Sequence, residues 1–242
     1  MKFEDVLNQR RSIRDFSDKP VRDVLLEKIL KSALASPSSS NTQPYKVAVA
    51  KSDVCQAIRQ ELTQKYLKAS RIKNMKMPKK LIHAAVGSVF GGVLPDGDFK
   101  TDTNYPPELK KRAVECGMGL YDALEIQRKD YVARERQMLR NFELFDAPVA
   151  IFIFIQAQRS MFSALDAGMF MQSLMMAATA EGLGTCAQGS LATWASPVRK
   201  RFKVEDNYKL ICGLSIGYPT DHIVNNYRPE KISLNSLCFA ER

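Results

Sequence analysis

The sequence predicts one packed domain built from helices and a few buried strands. Three observations carry this expectation. The chain has 242 residues, enough for a sizeable core, and the usual range of roughly 100–200 residues per domain favours one unit. Its composition, 45% hydrophobic and 26% charged, lies near the globular norm and far from that of disordered chains. Short β-branched and aromatic runs alternate with longer segments of helical period, and no repeat, low-complexity linker or shift in composition divides residues 1–242.

Taken in order, Phe3 to Gln9 reads as a short helix. Val21 to Leu34 reads as a second, because Val21, Val24, Leu25, Ile29 and Ala33 fall on one stripe and Ser17 or Asp18 offers an N-cap before Pro20. Ser36 to Pro44 then breaks the pattern with turn formers. Tyr45 to Ala50 alternates like a strand, and Ser52 to Lys68 returns to helix. The Gly- and Pro-rich stretch from Gly87 to Pro107 reads as irregular, and helical pattern resumes from Glu108 to Arg140. Val149 to Ile155 lacks polar alternation and fits a strand buried on both faces. Ser163 or Asp166 would cap a helix from Ala167 to Glu181 that is apolar nearly all round, which places it centrally or at a subunit interface. Lys209 to Gly217 is a further buried strand.

Several function classes are excluded at this level. Five widely spaced cysteines with no C-x-x-C pair, and two isolated histidines, His83 and His222, argue against a disulfide scaffold and against a metal site. The Arg10-Arg11 pair is followed by Asp15, Asp18 and Lys19 where an export signal would turn apolar, and the longest clean apolar run is far short of the ~20 residues of a membrane span. The expectation is a cytoplasmic, reduced-thiol protein with no membrane partner. Gly182 to Ala187 formally matches G-x-G-x-x-A, but a helix runs into its first glycine where the dinucleotide fingerprint needs a strand. It reads instead as a helix C-cap with Gly182 in the left-handed conformation. P-loop, H-E-x-x-H and G-x-S-x-G motifs are missing. The net charge of +10 favours anionic partners, and seven Lys or Arg without an acid lie between Lys65 and Lys80. That run reads as a solvated helix end and loop, with Tyr66 alone available for base stacking, so no nucleic-acid partner is expected.

Three separated segments have the chemistry to hold a phosphorylated planar ligand. Arg10, Arg11, Ser12 and Arg14 put three guanidinium forks and a hydroxyl in five residues, matched to phosphate oxygens. Pro37 to Pro44 is rich in hydroxyls and amides, including Ser38, Ser39, Asn41 and Gln43, able to donate and accept along a heterocyclic edge. Gly182 to Ser190 is made of small residues that let backbone N–H groups approach a planar ring. Arg228 and Lys231 offer a further cationic pair. Each segment alone is also an ordinary polar turn.

RRSIRDF at Arg10–Phe16, ASPSSSNTQPY at Ala35–Tyr45, EGLGTCAQ at Glu181–Gln188, and GYP followed by N-x-x-R ending at Arg228 occur in one order over nearly the whole chain. Together they resemble the nitroreductase family of flavoproteins, and Gly119 to Phe152 resembles the nitrobenzoate-reducing subgroup. The resemblance implies an α+β fold, a central mixed sheet flanked by helices, and an intertwined homodimer with exchanged C-terminal arms. It implies FMN as cofactor and NADH or NADPH as co-substrate. Arg10, Arg11, Ser12 and Arg14 would hold the FMN phosphate and ribityl chain, with Arg228 and Lys231 closing on the phosphate. Pro37, Ser38, Ser39, Asn41 and Gln43 would reach the flavin of the opposite subunit. Ala187, Gln188 and Gly189 would lie along the ring, and Arg14 or a backbone N–H would face its N1–C2 edge. Many relatives carry an acidic residue where this chain has Gly189, so a backbone contact survives there but no carboxylate role.

The implied reaction is a ping-pong hydride transfer from the nicotinamide to a small acceptor such as a nitroaromatic or quinone, with the flavin carrying the chemistry and no catalytic side chain. Tyr105 and Phe142 are candidates for the acceptor's wall, as aromatic residues suited to a planar molecule. Within the family the alternatives are dehalogenation, enone reduction or oxidation of a biosynthetic intermediate. Outside it, the alternative is a basic protein binding nucleic acid or an anionic surface, which a colourless purified protein would favour.

Overall fold

The computed structural model describes residues 2–73, 93–100 and 104–239. Helix α1 spans Phe3–Gln9 and α2 spans Asp23–Ala33. After strand β1, Tyr45–Lys51, helix α3 runs from Ser52 to Lys73. Helices α4, Pro107–Ala123, and α5, Tyr131–Phe142, divide the segment read as one continuous helix, the break falling at Leu124 to Asp130. Then come β2, Val149–Gln156, α6, Ser160–Ala180, β3, Gly184–Gln188, α7, Ser196–Arg199, β4, Tyr208–Gly217, and α8, Leu234–Leu237. Helix α2 begins at an uncapped Arg22 and not at Ser17 or Asp18, because Phe16 and Ser17 are tied to the strand ends through Pro219 and Tyr218.

The four strands form one sheet in the order β1-β2-β4-β3. All three ladders are antiparallel, with Val47 opposite Ile153, Ile151 opposite Leu214 and Gly184 opposite Gly217. The central sheet is therefore present, but its mixed character is reduced to one isolated parallel bridge, Ser12 to Thr185. That bridge lies against β3, whose outer edge carries no full ladder among the described strands.

Strand β2 shows how an unbroken apolar run still encodes two faces. Ala150, Phe152 and Phe154 point into a cluster with Ile58 and Leu62 of α3, Phe142 of α5 and Trp194. Val149, Ile151, Ile153 and Ile155 point the other way, into a cluster with Leu26, Ile29 and Ala33 of α2 and Phe170, Leu174 and Ala178 of α6. The period of two is there, written in aromatic against β-branched shape instead of polar against apolar. A register shift opposite Ile153 and Phe154 skips Ile211, which is why Leu210 joins the first cluster and Leu214 and Ile216 the second. Each fully buried side chain of this kind stabilises the fold by roughly 1.5–3 kcal/mol.

Helix α6 is apolar all round, as expected, but only one side is spent on the core. Met161 and Leu165 remain 73% and 61% exposed on its outer face. Lys65, the first residue of the basic run, is buried in α3 and pairs with Asp96, while residues 74–80 of that run lie outside the described ones, as do His83 and residues 87–92 and 101–103 of the Gly- and Pro-rich stretch. No helix among the described residues is long and apolar enough to cross a membrane.

Candidate functional site

The arginine segment leaves α1 and runs extended past β3. Arg10 caps the helix, its N–H donating to the Val6 carbonyl, and Ile13 N–H donates to Thr185 O at 2.9 Å. Ile13 is buried over Gly184, where a Cβ would stand 2.6 Å from its Cγ1. That glycine is required for close approach and not for its backbone angles. Arg11 Nε donates to the carbonyl of Asn225 at 2.5 Å, and Arg228 donates to the Asn8 carbonyl at the end of α1. Asn225, 1% exposed, joins the two segments. Its Oδ1 accepts from the backbone N–H of Arg14 at 2.8 Å, and its amide donates to Asp15 O at 2.8 Å and Thr220 O at 3.0 Å.

The electrostatics of this cluster are unbalanced. Partial burial lowers the Arg11 pKa from its ordinary value, and the nearby Arg228 charge lowers it further. Among the described residues, Arg10, Arg11, Arg14, Arg228 and Lys231 have no carboxylate partner, whereas Arg199 and Arg201 each hold one and Arg140 holds three. Two guanidinium groups kept close without an acid form a site for an external anion. Lys231 lies further along the exposed tail.

The glycine-rich segment is not the loop the sequence suggests. Gly182 ends α6 with φ +75°, the left-handed C-cap expected, but Gly184 to Gln188 is strand β3. Ala187 and Gly189 are exposed, and nothing stands within 4 Å of where a Gly189 Cβ would be. Gln188 points inward. Its amide donates to Asn141 O at 2.8 Å, and its carbonyl accepts from Ser215 Oγ at 2.5 Å. Only its backbone is left for a ligand. Beside them, burial pushes the Cys186 thiol up to about 11, with the Arg14 charge opposing. Iodoacetamide at pH 8 is therefore expected to leave Cys186 unmodified in the folded protein and to label it on unfolding, as peptide mass spectrometry would show. Because the folded thiol ionises later than the unfolded one, its contribution to stability holds below the ordinary thiol range and fades as pH rises towards 11.

The serine-rich turn is organised separately. Ser40, Asn41 and Gln43 all have positive φ, at 51°, 55° and 43°. The Gln43 amide donates to Asn41 O and Oδ1, so these two candidates satisfy each other. Ser38 Oγ accepts from Gln43 N–H, and Ser39 N–H donates to Asp166 of α6. The turn's side-chain hydrogen bonds run within itself and to α6, not to the arginine cluster. Pro37 precedes it and is exposed.

Of the two proposed wall residues, Phe142 is a core residue. It is 5% exposed, stacked on Tyr66 at 4.6 Å and edge-on to Trp194 at 5.4 Å. Its rim borders a cleft of about 670 Å³ with Tyr131, Glu135 and Met138. Tyr105 is 49% exposed in the segment before α4. No contact brings the two together.

The model of the Nitroreductase family matches residues 7–218. The chain belongs to this family. Its nitroreductase relatives include a 4-nitrobenzoate reductase of Pseudomonas putida, 27% identical over 93% of this chain and 88% of that one, and a nitrobenzene nitroreductase of Ectopseudomonas oleovorans, 28% identical over 93% and 89%. Among solved structures, the FMN-dependent nitroreductase NfnB from Mycobacterium smegmatis, in complex with NADPH, superposes with a TM-score of 0.82 at 26% identity over 99% of this chain and 97% of that one. The nitroreductase fold and the resemblance to nitrobenzoate-reducing members both hold.

Sequence reasoning missed two residues that organise these candidate segments. Asn225 stood next to the chosen Arg228 within Asn-Asn-Tyr-Arg, but nothing in a single sequence marks which amide is buried. Asp166 was read as a helix cap, yet α6 begins at Ser160 and Asp166 sits inside it.

Proposed function

We propose that this chain is an FMN-dependent oxidoreductase that uses NADH or NADPH to reduce a small electrophilic acceptor such as a nitroaromatic or quinone. The observation that carries the reading is the cationic cluster of Arg11, Arg14 and Arg228, locked by Asn225 and lying beside the open backbone edge at Ala187 and Gly189. These residues fit the cofactor: unneutralised guanidinium groups suit a phosphomonoester, and an edge free of side-chain bulk suits a flat ring. The relatives named above support the acceptor class.

When bound, FMN supplies two-electron hydride chemistry between nicotinamide and acceptor. The chain's own residues bind and orient. Arg10, Arg11, Ser12 and Arg228 would grip the phosphate, with Lys231 reaching it from the tail. Arg14, near Cys186 and Ser12, would offer a donor to the ring, and the backbone of Ala187, Gln188 and Gly189 would line it. Gln188, held by Asn141 and Ser215, stiffens that backbone from behind. Pro37, Ser38, Ser39, Asn41 and Gln43 would serve the partner subunit's flavin, and Tyr105 and Phe142 remain the proposed acceptor wall, Phe142 by its rim alone.

The chain would act as one domain, a cytoplasmic homodimer with exchanged C-terminal arms. The exposed Met161 and Leu165 of α6, and Leu234, Leu237 and Phe239 of the tail, supply apolar surface for this. Mass spectrometry of the cofactor released from purified protein is expected to give FMN at about one per chain. FAD, or no flavin, would refute the reading. Light scattering at micromolar concentration is expected to give a dimer, and an active, flavin-loaded monomer would contradict the arm exchange.

A further inference from the structure

Asp166 is 1% exposed, within the second turn of α6. Both of its oxygens lie 3.2 Å from one donor, the backbone N–H of Ser39. Around it, the hydroxyls of Tyr45 and Ser163 are buried with no hydrogen-bond partner, and Tyr45 has its pKa raised first by burial and then by the Asp166 charge. A carboxylate sunk in an apolar helix and served so thinly contributes little to stability, since burying a charge costs more than one shared hydrogen bond returns. What it does is hold a loop. Two turns further along α6, Ser173 Oγ pairs with Ser36 Oγ at 2.7 Å, and Ser36 Oγ lies 2.7 Å from the Ala33 carbonyl at the end of α2. Seven residues apart, Asp166 and Ser173 lie on one face of the helix and grip the turn at its start and its middle. The turn needs this grip, because Ser40, Asn41 and Gln43 all sit at positive φ, a conformation costly for side chains with a Cβ. The outer face of the same rigid helix is the one left apolar at Met161 and Leu165.

We infer that Asp166 is a positioning residue that aims the Pro37–Gln43 turn of one subunit at the flavin of the other, with α6 as the rigid link between turn and subunit interface. The inference rests on the FMN reading and on the dimer. Asp166→Asn keeps the volume and one acceptor oxygen but loses the charge and turns the second oxygen facing the Ser39 N–H into a donor, which weakens the anchor. The homodimeric variant is expected to stay folded and dimeric and to bind FMN about tenfold more weakly, the lower range for loss of a charge-assisted hydrogen bond.

A merely structural Asp166 would give the same loss, so the decisive measurement uses dimers assembled from two differently tagged chains. With Arg11→Ala on one chain and Asp166→Asn on the other, both defects meet in one site, and one tight FMN per dimer is expected by fluorescence titration. With both substitutions on the same chain, each site carries one defect, and no tight FMN is expected. The inference is overturned if Asp166→Asn binds FMN like the wild type, or if the same-chain arrangement keeps one tight site, which would place the turn in its own subunit's site. FMN missing from the wild-type protein would instead overturn the functional reading. Should Asp166→Asn fail to fold, Ser39→Pro deletes the donor of the same bond where Ser38, at φ −146° and ψ 157°, accepts a following proline, and the same two arrangements are read against Ser39→Ala, which lacks the hydroxyl but keeps the N–H; equal FMN loss in the two variants would overturn the inference.

Discussion

Arg11→Ala is expected to weaken FMN binding by about 1.5–3 kcal/mol, the range for a hydrogen bond to a charged group, and to leave the apoprotein folded. The structure explains why the two effects separate. Arg11 gives the fold one side-chain bond of note, from Nε to the Asn225 carbonyl, and its charge is opposed by Arg228. Removing it relieves that repulsion while taking away a fork that a phosphate would fill. Arg11→Lys should fall between the two, because a point charge remains where bidentate geometry is lost. Titration of apoprotein with FMN, run beside a thermal melt, decides the matter. Wild-type affinity together with a melting temperature lowered by several degrees would assign Arg11 to the scaffold, and the roles given to Arg10, Ser12 and Arg14 would go with it.

Asn225→Ala is expected to damage both fold and cofactor binding. The amide is buried and serves three backbone groups, the N–H of Arg14 and the carbonyls of Asp15 and Thr220. Alanine leaves these groups without partners in a place water enters poorly, at about 1–3 kcal/mol for each group left unsatisfied. A total near 3 kcal/mol would lower the melting temperature by roughly 6–12 °C in a chain of this size. FMN affinity should fall as well, because the segment bearing Arg11 and Arg14 loses its tie to the loop bearing Arg228. The pair of variants thus divides the proposed site: Arg11 would touch the anion, and Asn225 holds the segments whose residues would do so. An Asn225→Ala protein that melts like the wild type would show that the two segments are fixed by other contacts.

Much of this architecture was legible in local pattern. Phe3–Gln9 was read with the bounds observed, and β1, β2 and β4 each within one residue at either end, because their apolar periods are strong and their neighbours are turn formers. Gly182 was recognisable as a C-cap because a helix running into glycine has few other ways to stop. The arginines proposed to meet a phosphate stood out for a chemical reason, since so many guanidinium groups in five residues have few uses. Strand β3 was not legible. Its residues are small and mixed, and it is a strand because β4 pairs with it, not because its own side chains prefer extension.

What the sequence by itself determined is the elements with strong apolar period, the two chemical faces of β2, and the residue types able to meet a phosphate and a flat ring. Those depend on interactions within a few residues, where period, capping and turn chemistry act. What only the tertiary structure decided is which polar groups are spent inside the molecule. Gln188 looked available for a ligand and is consumed by Asn141 and Ser215, Phe142 looked like a wall and is stacked into the core, and Asp166 looked like a cap and is an anchor for a distant turn. A hydrogen bond or a ring stack depends on partners that lie 47, 27, 76 and 127 residues away in these four contacts, and no local pattern records who those partners are.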